Sequence, residues 1–401
     1  MRMYMLTLVS LLLLIAIPDT FFYLKLKRRD SHPFYIVMHL IPAVIFTVLF
    51  LYIKFGLESM HNFRVVVAVM WLFFFFLLIY LSKLIHAFFY VLEYIYKKIT
   101  GHESIYFYIA RIGLNTYIVA AMLISAYITP RRFDVTHIQI PIKGLPAAFD
   151  GYRIVQISDL HLGSWNFKHK KLYPVLKLVN EQNPDIIVFS GDMVNNFADE
   201  TASWQPYFAQ LKAPYGKFAV LGNHDYGDYT DWKNDSLRAD NSQRIRDAIK
   251  DFGFTLLLNE HVYLKCGSSD SLLLLGVENW NKDKKANYSD LEKALRNTSP
   301  KEPKILLTHD PSQWEPEVLK HKDIVLTLSG HTHAGQLGIQ IGKRLISPAE
   351  FVFKYWVGLY QIDNQYLYVN RGIGYIGLPM YISVRPEITV IELKTAGKSK
   401  Q

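Results

Sequence analysis

The chain has 401 residues, of which 50% are hydrophobic and 14% aromatic, and a formal net charge of +9. That is too long for one ordinary domain and too apolar on average for a purely soluble protein. The single cysteine, Cys266, excludes an intramolecular disulfide and a cysteine-based metal site.

The apolar excess sits in the first third. Four stretches reach the roughly 20 apolar residues that a bilayer crossing needs, at about 5–24, 34–53, 65–95 and 105–128. The first looks like a secretory signal, but it lacks a clear small-residue cleavage site and three more apolar stretches follow, so it reads as retained. A run such as "WLFFFFLLIYL" has no polar face to show to water. Residues 1–130 therefore predict a multi-pass membrane domain. Lys83, His86, Glu93 and Arg111 lie in or near these spans. Such groups are functional candidates, with snorkelling or pairing between helices as the structural alternative.

Four spans put both termini on one side of the membrane. With the N-terminus inside, the inner flanks carry Arg2, Lys54, Arg64, Arg131 and Arg132; in the opposite orientation they carry Lys25, Lys27, Arg28, Arg29, Lys97 and Lys98. The two sets nearly balance, so the side of the C-terminal domain stays open. These flanking charges read as membrane anchors. No nucleic-acid module accompanies them, and no nucleic-acid partner is expected.

From Val135 onward, short runs of Val, Ile, Leu and Phe alternate with helical or loop segments. "YRIVQISDLH" ends in Asp159 and His161, "PDIIVFSGD" in Asp192, and "GKFAVLGNHD" in Asn223, His224 and Asp225. "KILLTHD" delivers His309, and "DIVLTLSGHTH" closes on His331 and His333. Continuous apolar runs of this length predict strands buried on both faces, in sheets covered by helices such as "HKKLYPVLKLVNEQ" and "SLRADNSQRIRDAIKDFG". An α/β domain is expected over 131–395, with a polar tail at 396–401.

In open α/β sheets the ligand site lies at the carboxyl ends of the strands. Five strands each delivering Asp, Asn or His to one sheet edge thus make a constellation. Residues i and i+2 leaving a strand can point to one side, so Asp-x-His and His-x-His each offer two donors to one cavity. Carboxylate, amide oxygen and imidazole without thiolate suit manganese, iron, zinc or a similar divalent ion. The donors are too many for one tetrahedral ion. Two ions about 3.5–4 Å apart, bridged by a carboxylate, would use them all and would activate water against a phosphoryl group.

The series "DLH", "GD", "GNHD", "H" and "GHTH", in that order and each after a strand, resembles the calcineurin-like metallophosphoesterase superfamily over roughly residues 153–393. "GHTHAGQ", "NRGIG" and "VRPEITVIEL" are similar to its membrane-associated bacterial branch, which includes cell-wall-associated enzymes and one kind of UDP-2,3-diacylglucosamine pyrophosphatase. The resemblance implies a four-layer α/β/β/α domain. It assigns Asp159, His161 and His333 to a first metal and Asn223, His309 and His331 to a second, with Asp192 bridging. It implies manganese first among the candidate ions, with iron, zinc or magnesium as alternatives. His224 would face the substrate, steadying phosphate or protonating the leaving oxygen. Asp225 would support the ligands from behind.

Gln336 and Arg371 are expected near the motif end of the domain. Arg371 could grip a second phosphate or form a structural ion pair. Lys282, Lys284 and Lys285 could meet an anionic headgroup or simply line a solvated loop, and Trp280 and Trp314 are expected to pack. The function expected is a membrane-bound dinuclear phosphoesterase of a bacterial cytoplasmic membrane, acting on a phosphate-containing and possibly lipid-linked substrate. The competing class is a membrane sensor or assembly protein with a structural metal centre.

Overall fold

The computed structural model describes residues 2–28, 31–55, 62–165, 169–266, 270–342 and 344–396. Arg29 and residues 397–401 of the expected tail lie outside the described residues, as do the side chains of Arg2, Lys54 and Lys285. The chain forms two compact units, one of Met1–Met60 with Ala68–Ser125 and one of His61–Val67 with Ala126–Gln401.

The first unit is built from long helices: α1 (Arg2–Arg28), α2 (Pro33–Phe55), α3 (Phe63–Thr100) and α4 (Ile105–Tyr127). Among the described residues three helical segments are long and apolar enough to cross a membrane, Pro33–Ile53, Phe63–Thr100 and Ile105–Arg131. Three of the four expected spans meet this criterion; the other, the first, coincides with α1, which contains Pro18 and the buried Asp19. At a rise of about 1.5 Å per residue α3 is roughly 57 Å long, well over a hydrocarbon core of about 30 Å. Many large apolar side chains of the unit are exposed, among them Ile17, Val44, Val48, Phe88 and Ile109. In water that surface would aggregate, whereas in lipid it is satisfied.

The inner face of the unit is aromatic, with Phe46, Phe50, Phe76 and Tyr80 packed around Ile15. Beside it Asp19 of α1 accepts from Tyr80 Oη at 2.8 Å and pairs with Lys83 Nζ and with His39 Nε2. One acidic side chain thus ties α1 to α2 and α3. Lys83 is engaged in this network, and Arg111 sits 3.9 Å from Glu93 and over the ring of Tyr90. His86 lines a cavity with Lys83 and His39. The interhelical pairing weighed from sequence is the arrangement observed for Lys83, Glu93 and Arg111.

The second unit runs through β1 (Asp134–Ile142), β2 (Arg153–Ile157), α5 (His169–Glu181), β3 (Ile186–Phe189), α6 (Gln205–Phe208), β4 (Lys217–Ala219), α7 (Asp235–Asp251) and β5 (Thr255–Leu256). It continues with β6 (Glu260–Cys266), β7 (Asp270–Gly276), α8 (Leu291–Ala294), β8 (Lys304–Leu307), β9 (Ile324–Ser329), β10 (Ile339–Ile341), β11 (Arg344–Ile346), β12 (Gly358–Ile362), β13 (Gln365–Val369) and β14 (Glu387–Thr395). Two six-stranded sheets result, ordered β1-β14-β2-β3-β4-β5 and β12-β13-β9-β8-β7-β6, with β10-β11 as a separate hairpin.

The sheets face each other across one apolar layer. Ile154, Ile186 and Val188 from the first meet Leu274, Ile305, Leu307 and Leu328 from the second. The outer face of the first sheet is covered by α5 and α7 through Leu172, Val175, Leu176, Ile245 and Ile249. The outer face of the second is covered by α8 and irregular segments carrying Trp314 and Val318. The layers are α/β/β/α, although the second helical layer is thin. β2, β3 and β4 run parallel in one sheet and β8 and β9 run parallel in the other. This corrects one expectation: the candidate ligands leave the carboxyl ends of two facing sheets, not one sheet edge.

Candidate metal centre

Three of the five strands that end in candidate ligands, β2, β3 and β9, are followed by left-handed backbone. Asp159, His161, Asp192, His331 and His333 all have φ between 43° and 72°. This left-handed region disfavours residues with a Cβ, at a cost of about 1–3 kcal/mol each, and such outliers concentrate at functional sites. The turns also need close backbone approach. At Gly222 a Cβ would run into the carboxylate of Asp192, and at Gly191, itself at φ 100°, it would come within 2.7 Å of the Gly222 amide nitrogen.

The donors converge in two groups. Asp159, His161 and His333 offer atoms within 4.8 Å of one another, as do Asp192, His309 and His331. His161 Nε2 lies 3.1 Å from His333 Nε2, and His333 Nε2 lies 3.3 Å from Asp159 Oδ1. In the other group His309 Nε2 lies 3.0 Å from Asn223 Oδ1 and 3.2 Å from His331 Nδ1. Asp192 Oδ2 is 3.0 Å from His309 Nε2 and 3.7 Å from His161 Nε2, so one carboxylate reaches both groups.

The outer ring nitrogens fix the chemistry of the inner ones. His161 Nδ1 lies 3.2 Å from the Val194 carbonyl and His309 Nδ1 lies 2.8 Å from the Ser190 carbonyl. A carbonyl only accepts, so each Nδ1 carries the proton, and in the neutral ring Nε2 presents a lone pair to the cavity. Imidazole nitrogens 3.1–3.2 Å apart repel unless a proton or a cation lies between them. The donor set fits divalent cations.

The electrostatics agree. Burial pushes the His161 imidazolium down to about 3, with His224 adding to it, so the ring is neutral. Burial alone would raise Asp159, but His333 and its neighbours more than offset this and hold the carboxyl at about 2. Asp192 is likewise held well below the carboxylate range by His309 and His224 against its burial. His309 is the exception. Burial opposes its charge, yet the adjacent Asp192 carries it up to about 10.

The remaining expected residues separate cleanly. His224 is half-buried beside the two groups, its ring edge-on to His161 at 4.9 Å, its Nδ1 2.6 Å from the Asn195 carbonyl. Its backbone amide donates to Asp192 Oδ1 at 2.9 Å. Asp225 lies behind the ligands and accepts from the backbone amides of Asp192, Met193, Val194 and Gly222, clamping two ligand-bearing loops together. Gln336 spans the 376–380 loop, donating to the Leu378 carbonyl and accepting from the Ile376 amide. Arg371 is held by Glu387 and Asp134, the structural ion pair weighed as its alternative. Lys282 and Lys284 are exposed. Trp314 is buried edge-on to Tyr355, and Trp280 donates to Glu317.

Three contributors escaped the sequence reading. Tyr229 accepts from the Asn223 amide at 2.6 Å and stacks on His224 at 4.3 Å. Asp310, the residue after His309, lies 4.0 Å from His331 Nε2, opposite the nitrogen that faces the centre. Glu200 accepts from the amides of Gly163, Asn195, Asn196 and Phe197, pinning the loop that carries the Val194 and Asn195 carbonyls. Tyr229 and Glu200 lie in ordinary polar stretches, and only Asp310, inside "KILLTHD", had a local signal.

Comparison with known proteins agrees with this geometry. The family model described as calcineurin-like phosphoesterase matches residues 152–335. A Bacillus subtilis (strain 168) protein named as an uncharacterized metallophosphoesterase, YkuE, is 34% identical over 276 residues, covering 68% of this chain and 89% of its own. A Danio rerio protein described as a transmembrane protein with metallophosphoesterase domain is 34% identical over 284 residues; 68% of this chain matches 60% of that protein's length. An Aquifex aeolicus (strain VF5) metallophosphoesterase, also uncharacterized, is 30% identical over 283 residues, covering 69% of this chain and 98% of its own. The chain belongs to the calcineurin-like metallophosphoesterases, metal-dependent phosphohydrolases that use a dinuclear metal centre.

Proposed function

We propose that the protein is a membrane-bound phosphoesterase that holds one divalent ion on Asp159, His161 and His333 and another on Asn223, His309 and His331, with Asp192 shared. Manganese is the first candidate ion, by resemblance to the family, and the mix of carboxylate, amide oxygen and imidazole suits it as it suits iron or zinc. The substrate is a phosphate ester or pyrophosphate resident in the membrane or envelope, and α1 serves as a fourth span in a bacterial cytoplasmic membrane. The observation that carries this reading is the pair of inward Nε2 atoms on His161 and His309, each fixed by an Nδ1–H that a backbone carbonyl accepts.

Ions at these donors supply Lewis acidity toward the phosphoryl oxygens and lower the pKa of a coordinated water toward neutrality. The protein supplies the frame. Asp225 and Glu200 hold the ligand loops, and Tyr229 and Asp310 orient Asn223 and His331. His224, held by the Asn195 carbonyl and by Tyr229, keeps its Nε2 for the substrate; because its Nδ1–H is given to that carbonyl, the ring steadies phosphate or protonates the departing oxygen as the imidazolium.

Replacing His224 by alanine tests the reading. The variant should retain both ions in elemental analysis and lose roughly 10²–10⁴-fold in hydrolysis of p-nitrophenyl phosphate mono- or diesters with Mn²⁺. Unchanged turnover would contradict the role of His224, and no turnover by the parent protein would contradict the phosphoesterase reading.

A further inference from the structure

A cavity of about 460 Å³ opens directly beside the candidate metal centre and shares His331 and His333 with it. The rest of its lining includes Leu337, Pro348, Ile376 and Met380 and, among the described residues, no Asp, Glu, Lys or Arg. Beyond Leu337 the chain enters the β10–β11 hairpin, whose strands pair, among the described residues, only with each other. Ile339 and Ile341 share one strand face and are 65% and 62% exposed. Phe351 and Val352, at 88% and 74% exposed, follow on a segment tied to the metal turn by the Ser347 hydroxyl, which donates to the Ala334 carbonyl at 2.9 Å. Large aliphatic and aromatic side chains so exposed, within one stretch of 14 residues from Ile339 to Val352, mark a surface with a partner.

The charge distribution selects that partner. Histidine donors for cations stand where the cavity meets the centre, and the remaining wall is uncharged and mostly apolar, with Thr332 and Gln336 its polar side chains. This is complementary to a molecule with an anionic head and a hydrocarbon tail. A nucleotide or sugar would need hydrogen-bond partners where Leu337, Pro348, Ile376 and Met380 stand.

Resting on the phosphoesterase reading above, we infer that this cleft takes the acyl chain of an amphiphilic phosphate ester, whose phosphate lies at the metal centre while the tail runs along Leu337 toward the β10–β11 hairpin. The protein's substrate class is then a single-molecule lipid phosphate.

The test uses the full-length, Mn²⁺-loaded protein in nanodiscs, with empty nanodiscs as the correction for partitioning. Binding of methyl-, butyl- and octylphosphonate, which have no hydrolysable ester, is measured by calorimetry. Each methylene buried should tighten binding about fourfold, so a cleft that takes three or four gives octylphosphonate an advantage over methylphosphonate on the order of 100-fold. In the double variant Leu337→Gln/Ile339→Ser that ratio should fall to within about tenfold. A wild-type ratio below about threefold, or a variant that keeps the wild-type ratio, overturns the inference and leaves the phosphoesterase reading standing. Binding of none of the three phosphonates overturns the phosphoesterase reading and this inference with it.

Discussion

The side-chain amide of Asn223 donates to the hydroxyl of Tyr229 at 2.6 Å, which turns Asn223 Oδ1 toward His309 Nε2, 3.0 Å away. An asparagine has two faces, and only the oxygen can hold a cation. Tyr229→Phe removes the hydroxyl that fixes this choice but keeps the ring stacked on His224. Loss of such an outer partner should weaken metal affinity about 10–100-fold. Chelator competition reads this directly; an unchanged affinity would mean that Asn223 is oriented without Tyr229.

Asp225 accepts four backbone N–H groups from two loops in a fully buried position. Asp225→Asn replaces one acceptor oxygen by a donor aimed at other donors. The cost should be about 3 kcal/mol, because hydrogen bonds to a charged group are lost and buried amides are left unpaired. Denaturant unfolding in detergent measures it, and a cost below about 1 kcal/mol would contradict the clamp.

How much of this was readable beforehand follows from what each strand shows locally. The seven candidate ligands stood out because each follows an apolar run, and the runs at 153–157, 186–189, 217–219, 304–307 and 324–329 are strands. Their division between two sheets left no local trace: β8 resembles β3 in composition, and only long-range pairing separates them. Asp19 shows the same limit in the helical unit. A lone aspartate after Pro18 gave no signal, because its partners Lys83, Tyr80 and His39 lie on other helices. Arg371 was legible as a cation, but its place on Glu387 and Asp134 depends on the β14 return.

Metal loading should depend on pH through His309. In the metal-free protein burial opposes its charge, but Asp192 raises it to about 10. A raised histidine stabilises the metal-free fold fully below the unfolded value near 6.5, and that contribution is lost as pH rises through about 10. The same proton blocks Nε2, so a cation must displace it. Affinity at this group should therefore rise about tenfold per pH unit between pH 7 and 9, with release of the His309 proton. Calorimetry in buffers of different ionisation enthalpy tests this, and a flat affinity would contradict it.

In the helical unit, Lys83→Met should strip Asp19 of a buried counter-charge and cost about 3–5 kcal/mol, while Asp19→Leu together with Lys83→Met should recover much of the loss. Thermal unfolding in detergent compares the two. Equal destabilisation by the single and double variants would show that the pair does not act as a unit.

The central claim is that two ions share Asp192. Crystals of the Mn²⁺-loaded protein, measured at the manganese absorption edge, test it most directly. The account predicts two anomalous peaks about 3.5–4 Å apart, one against Asp159, His161 and His333, the other against Asn223, His309 and His331, with Asp192 contacting both. A single peak, or peaks away from Asp192, would contradict it.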